Sequence, residues 1–185
     1  MIDEFIADGN RRMDQAVEHL RRDLTGIRTG RASPALIENL NIDYYGQPTP
    51  LKQIAGISAP EARLLLIQPW DKEALPDIEK AIVASDLSIT PSNDGNVIHL
   101  PIPQLSEDRR RDLVRIVKQK TEDARVAVRN IRRDVHDDLR ELVNEKEVSE
   151  DEFHRSEETL QKTTDSHVEA IDKLGQQKEA EVMQV

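Results

Sequence analysis

The sequence predicts an α+β protein, an elongated three-helix bundle carrying a small inserted β/α/β domain, and three observations lead there. Charged side chains make up 34% of the 185 residues, and only Phe5, Tyr44, Tyr45, Trp70 and Phe153 are aromatic. A core built from this chain must be aliphatic, which suits packed helices better than a broad sandwich. Aliphatic residues recur at the helical period near the N-terminus and again beyond residue 106, while the stretch between them is broken into short apolar runs by Gly and Pro. The length allows one domain or two small ones.

Residues 2–28 read as a helix, because Ile6, Met13, Ala16, Leu20, Leu24 and Ile27 fall on one stripe. Gly30, able to take a left-handed conformation, and Pro34 then break the pattern. Residues 37–45 alternate around Leu40, Ile42 and Tyr44 as a strand, with Gly46-Gln47-Pro48 as a turn. The run Leu64-Leu65-Leu66-Ile67 is short enough for a buried strand that Pro69 ends. Residues 72–85 look helical, with Leu75, Ile78, Ile82 and Val83 on one face and Pro76 in the first turn, where a missing amide is tolerated. Ile89 and Val97-Ile98-His99-Leu100 flank the turn cluster Pro91-Ser92-Asn93-Asp94-Gly95, as in a hairpin.

Beyond Pro101 and Pro103, Ser106 is placed to cap a long helix with Glu107 and Asp108 in its first turn. Its core stripe runs Leu113, Val117, Thr121, Ala124, Val128, Ile131, Val135, Leu139, Leu142, a mean step of 3.6 residues. Ser149-Glu150-Asp151-Glu152 is a capping box that opens a further helix, with Phe153, Leu160, Val168, Ile171 and Leu174 on its apolar face. A helix of about 40 residues spans about 60 Å, whereas a compact ball of ~110 residues has a radius of gyration of only ~13 Å. The helices therefore predict an elongated bundle of residues 1–30 and 104–185, with residues 31–103 inserted. Two short parallel linkers between these domains make a hinge.

Several function classes fall away. The absence of cysteine excludes disulfide scaffolds, thiolate metal sites and cysteine nucleophiles. No secretory signal or bilayer-spanning apolar run is visible, so a soluble, cytoplasmic protein is expected. Nucleotide, zinc-hydrolase and serine-hydrolase motifs are missing. The stretch 26–31 only faintly suggests a phosphate loop, since it lacks the lysine and follows a helix. The five histidines, His19, His99, His136, His154 and His167, are scattered without ligand spacing and read as surface or boundary residues. The expectation is a non-enzymatic protein with no cofactor and no metal.

The net charge of −10 conceals a local asymmetry. Residues 1–108 hold 10 basic and 17 acidic side chains, residues 109–133 hold 10 and 3, and residues 134–185 hold 6 and 16. Within the basic block Arg111, Arg115, Lys118, Arg125, Arg129 and Arg132 follow helical steps, with Arg133 beside the end of the row. On the first helix Arg21 and Arg28 each follow a core residue, so the two rows are expected to share one face. A solvated face with ion pairs is the plain alternative. Acids near 125–133 are sparse, however, comprising Glu122, Asp123 and Asp134. Arginines at this density suit phosphates, and without aromatic platforms they suit the backbone and shape of folded RNA.

Several stretches are familiar as a set. Ile27-Arg28-Thr29-Gly30-Arg31-Ala32-Ser33-Pro34, Tyr44-Tyr45-Gly46 with Thr49-Pro50-Leu51, Glu79-Lys80-Ala81-Ile82 with Ser85-Asp86-Leu87, and Glu107-Asp108-Arg109-Arg110 recur in order. Val126-Ala127-Val128-Arg129-Asn130-Ile131-Arg132-Arg133-Asp134 and Lys178-Glu179-Ala180-Glu181 complete them. The whole chain resembles the ribosome recycling factor family, with Ser88 where the family commonly has glycine. The resemblance implies an L-shaped, tRNA-like monomer that binds the post-termination ribosome across the tRNA sites of the large subunit. With elongation factor G, which brings the GTP, it would split the subunits and release them from mRNA. It assigns ribosomal RNA contacts to Arg28, Arg129 and Arg132, with Arg31 and Arg133 in support. Arg21, Arg111, Arg115, Lys118 and Arg125 form a supporting stripe. It maps the hinge onto 29–33 and 101–105, that is Thr29, Gly30, Arg31, Ala32 and Ser33 with Pro101, Pro103, Gln104 and Leu105. Two rivals remain open: a coiled-coil interaction or scaffold protein without RNA binding, and a hydrolase with an unrecognised carboxylate site.

Overall fold

A computed structural model describes residues 1–184. In chain order the elements are α1 (Ile2–Thr25), β1 (Asn41–Tyr44), β2 (Gln47–Pro50), β3 (Ala55–Glu61), β4 (Leu64–Pro69) and α2 (Leu75–Ala84). They continue with β5 (Ser92–Asn93), β6 (Ile98–Pro101), α3 (Glu107–Asn144) and α4 (Glu150–Met183). The chain forms two compact units, Met1–Arg28 with Glu107–Val185, and Thr29–Ser106 inserted between them.

The first unit packs α1, α3 and α4 around Met13, Val17, Leu20 and Leu24, Val117, Val128 and Leu139, and Phe153, Leu160 and Ile171. Helix α1 ends three residues short of the predicted 2–28. Gly26 is a poor helix former, and the tighter bond from Ile27 N to Leu24 O (3.1 Å) closes the last turn. Gly30, rather than Gly26, takes the positive φ, at 75°. Every predicted core position of α3 is buried except Ile131, which is half-buried. The Ser149 capping box forms, with Ser149 Oγ accepting from Glu152 N (3.3 Å) and Glu152 Oε2 from Ser149 N (3.0 Å).

The bundle core is more polar than the periodicity implies. Thr121, Ser156 and Thr164 are buried, and each hydroxyl donates to a carbonyl of the preceding turn at 2.6–2.7 Å. His167, expected at the surface or boundary, is buried as well. Its Nε2 lies 2.7 Å from Asp14 Oδ1 of α1 and its Nδ1 2.7 Å from Thr163 O. Two polar partners make that burial tolerable, and the partner from α1 is invisible to a pattern confined to one helix.

In the second unit a four-stranded antiparallel sheet runs β3-β4-β6-β5, and β1-β2 form a separate two-stranded ribbon. Helix α2 buries Leu75, Ile78 and Ile82 with Pro76 in its first turn, but Val83, predicted on that face, points to solvent. The predicted strand 37–45 shortens to β1, preceded by a 3-10 turn at Pro34–Leu36. The expected turn 46–48 moves to Tyr45-Gly46, both at positive φ, and Gln47–Pro50 becomes β2. The hairpin also tightens: Ser92 pairs with His99 and Asn93 with Ile98, so β5 lies inside the stretch expected to be turn. Ser88, where the family commonly has glycine, holds φ at 53°.

Both linkers are tied into this second unit. Ala32 N donates to Ala62 O (2.7 Å) and Ile102 N to Arg63 O (2.8 Å), so both hang on the β3–β4 turn. A Cβ on Gly30 would lie 3.1 Å from Leu105 Cγ, so glycine there serves both the positive φ and the close approach. No helix among the described residues is long and apolar enough to cross a membrane.

Candidate nucleic-acid interface

Helix α3 carries the basic block, and its neighbours decide which cations remain available. Arg125 is withdrawn from the surface. It is 28% exposed, its Nη1 donates to Glu122 Oε2 (2.7 Å) and its Nε to Asp172 Oδ1 on α4 (2.7 Å). Bonds from Glu122 and then Asp172 hold its guanidinium further into the charged range. The sequence count of nearby acids omits Asp172 because it lies 47 residues away. Arg111 pairs with Glu107, Arg115 approaches Asp112 (3.5 Å), and Arg21 on α1 donates to Glu18 (3.2 Å). These three pairs are exposed, so each is worth little and leaves the cation accessible.

Arg129 is exposed, and its one ion pair among the described residues is with Glu122, at 3.5 Å. Arg28, Arg132, Arg133 and Lys118 have no ion pair or side-chain hydrogen bond among the described residues, and neither does Arg31. Arg12 occupies Asp134 at 2.7 Å, and Gln119 engages Asp123 at 2.9 Å. Two of the three acids near 125–133 are thereby taken up by other partners, and Arg132 and Arg133 stay unneutralised.

The pairs Arg12–Asp134 and Asp23–Lys120 set α1 antiparallel to α3. The α3 row borders α4, because Arg125 reaches Asp172 and Arg132 shares a cleft with α4 residues. Arg21, seven residues after the Asp14 that holds His167, lies on the face of α1 that meets α4 from the other side. Arg28 lies past the end of α1, and Arg31 belongs to the inserted unit. Of the hinge residues, Thr29, Gly30, Ala32, Ser33, Pro101, Pro103, Gln104 and Leu105 also fall within that unit.

The cleft beside Arg132 escaped the sequence reading. It is shallow, about 280 Å³, and is lined by Arg132 and His136 of α3 and Glu157, Glu158, Leu160 and Gln161 of α4. His136 continues the arginine row at a helical step, which is the signal that was available. Its Nε2 sits 3.1 Å from Glu157 Oε1, and the other oxygen of Glu157 lies 3.2 Å from His154 Nδ1.

Comparison with known proteins decides the family. The family model described as ribosome recycling factor matches residues 20–183. The chain belongs to the ribosome recycling factor family. It is 54% identical over 185 residues to the ribosome-recycling factor of Syntrophomonas wolfei subsp. wolfei and 53% to that of Geobacillus sp. (strain WCH70), covering all of both chains in each case. A solution structure of the ribosome recycling factor matches with a TM-score of 0.75 at 43% identity, over 100% of this chain and 98% of that one. Models of the T. thermophilus ribosome recycling factor and the E. coli elongation factor G bound to the E. coli post-termination complex match with a TM-score of 0.64 at 46% identity, over the full length of both chains. In this member of the ribosome recycling factor family, Arg129, Arg132 and Arg133 bring three cations to one turn of α3, two of them without an ion pair among the described residues.

Proposed function

We propose that the protein is a non-enzymatic translation factor of the cytoplasm whose bundle binds large-subunit ribosomal RNA across the tRNA sites of the post-termination ribosome. With elongation factor G, which supplies GTP hydrolysis, it splits the subunits and frees them from mRNA. The observation that carries this reading is one turn of α3 in a protein whose formal charge is −10: Arg132 and Arg133 have no carboxylate partner among the described residues, and Arg129 has the 3.5 Å approach to Glu122. Guanidinium groups left without carboxylates on an acidic protein match phosphate oxygens and release counterions when they bind. Arg28 adds a cation beyond the end of α1, and Arg31 adds one from the inserted unit. The solved relative with elongation factor G on a post-termination complex supports the same partners. Segments 29–33 and 101–105 act as the hinge between the two domains.

The test is a salt titration of large-subunit binding. Each of Arg129→Ala and Arg133→Ala should weaken binding and lower the magnitude of the log–log salt slope by about 0.7–0.9. Equal slopes for wild type and the double variant would return the protein to the scaffold reading, which predicts no salt-sensitive RNA affinity.

A further inference from the structure

The cleft beside Arg132 has a chemistry that a phosphate backbone does not explain. Its two unused charged groups are of opposite sign: Arg132, half-buried, and Glu158, exposed, neither with an ion-pair partner among the described residues. Glu157 is spent on His136 and His154, and Gln161 Nε2 donates to Asp165 Oδ1 (2.8 Å), which leaves Gln161 Oε1 as a further free acceptor. Leu160, 3% exposed, closes the floor. The His136 ring, half-buried and one turn beyond Arg132, forms part of the wall.

A phosphate entering here gains Arg132 but meets the Glu158 carboxylate. A nucleobase meets both groups favourably if it offers acceptors on one side and donors on the other. Guanine does so, with O6 and N7 as acceptors that suit an arginine fork and the N1–H and N2–H groups as adjacent donors to a carboxylate. Adenine and cytosine each turn a ring-nitrogen lone pair toward the carboxylate, and uracil offers it one donor. Proteins read unstacked RNA bases in this manner, by their edges and against the faces of rings such as histidine.

We infer that the α3–α4 cleft holds an unstacked guanine of ribosomal RNA, with Arg132 on its O6/N7 edge and Glu158 on its N1/N2 edge. The inference rests on the proposed binding to the large subunit. It makes this one position of the interface specific to the base, whereas the remaining arginines bind any backbone.

Kethoxal, which attacks N1 and N2 of accessible guanines, tests it on isolated large subunits at saturating protein, with occupancy measured by co-sedimentation. Wild type should protect a guanine that is reactive in free subunits. Glu158→Ala at equal occupancy should restore its reactivity, and Glu158→Ala should also weaken binding about tenfold, the discrimination typical of one bidentate base contact. Circular dichroism of the variant should match wild type, because Glu158 is exposed and makes no ion pair or side-chain hydrogen bond among the described residues. If no protected guanine depends on Glu158 while wild type co-sediments, the base site is wrong and the phosphate interface stands. If wild type does not co-sediment at all, the proposed function falls and the base site with it.

Discussion

Gly175 on α4 faces Thr121 on α3 so closely that a Cβ on the glycine would lie 2.7 Å from Thr121 Oγ1 and 2.9 Å from its Cγ2. The hydroxyl cannot simply turn aside, since it already donates to Val117 O at 2.7 Å. Gly175→Ala should therefore destabilise the bundle by about 1–3 kcal/mol through overpacking, read as a lower urea midpoint. Combined with Thr121→Ala, much of the loss should return, giving a strong coupling in the double-mutant cycle. Additive losses would show that the helices part without resistance.

Arg125 and Arg129 stand one turn apart in the same sequence pattern, and the structure separates their roles. Arg125→Ala breaks bonds to Glu122 and Asp172 in a partly buried setting. It should cost about 1–2 kcal/mol of stability and leave the salt slope of ribosome binding near wild type. Arg129→Ala should do the reverse, because among the described residues its one ion pair is the 3.5 Å approach to Glu122. Urea unfolding and salt titration of both variants distinguish the assignments.

Much of this division was out of reach of the sequence, for a physical reason. A helical stripe reports which side chains share a face, but not which acids the neighbouring helices bring to it. Asp172 for Arg125, Asp14 for His167 and Glu158 for the cleft beside Arg132 all come from other helices. The long helices themselves were legible, because burying one face over many turns demands a sustained period. The small strands were not. Strand β2 carries Pro48 and Pro50, and β3 carries Gly56 and Pro60 with most of its residues exposed, so neither shows the alternation of a half-buried strand. The shift of the hairpin follows from Asp94, whose Oδ1 accepts from Asn96 N and Val97 N (both 2.9 Å) and confines the turn to the residues beside Gly95.

Ser88 occupies the left-handed region at φ 53°. An L-residue there pays about 1–2 kcal/mol, partly offset by the greater freedom that glycine has in the unfolded chain. Ser88→Gly should raise stability by about 0.5–1 kcal/mol, seen as a higher thermal midpoint with unchanged ribosome binding. A drop in stability would mean that the serine side chain contributes more than its backbone strain costs.

Tyr45 donates its hydroxyl to Asp71 Oδ2 at 2.8 Å. That hydrogen bond, and then the negative charge of Asp71, push the phenol from its ordinary value of 10.0 up to about 12. The contact is intact below pH ~10 and is lost as pH rises through the folded value. Asp71 is held below the usual carboxylate range, first by the amide of Glu73 and then by Tyr45. Its contribution is present at neutral pH and lost as acid takes the carboxylate through that depressed value. The ultraviolet absorbance of tyrosinate should show one tyrosine ionising near 12 in the native protein, and Asp71→Asn should bring it down. An unchanged alkaline titration in that variant would dissociate the shift from the contact.

The attachment of both linkers to the β3–β4 turn bears on how the polypeptide assembles as it is made. Helix α1 leaves the ribosome well before α3 and α4, so its partners do not yet exist. Closing the intervening loop of about 80 residues as a random chain would carry a logarithmic entropy cost. The inserted unit removes that cost when it folds, because Ala32 and Ile102 are pinned to adjacent residues and Gly30 meets Leu105. The two ends of the insertion emerge side by side, and a contact distant in sequence becomes local in space. Helices α3 and α4, joined by the short stretch 145–149, can pair as a local hairpin as soon as both exist, so the expected order has α1 docking last. The order of synthesis and the order of assembly then coincide for the insertion and are inverted for the first helix.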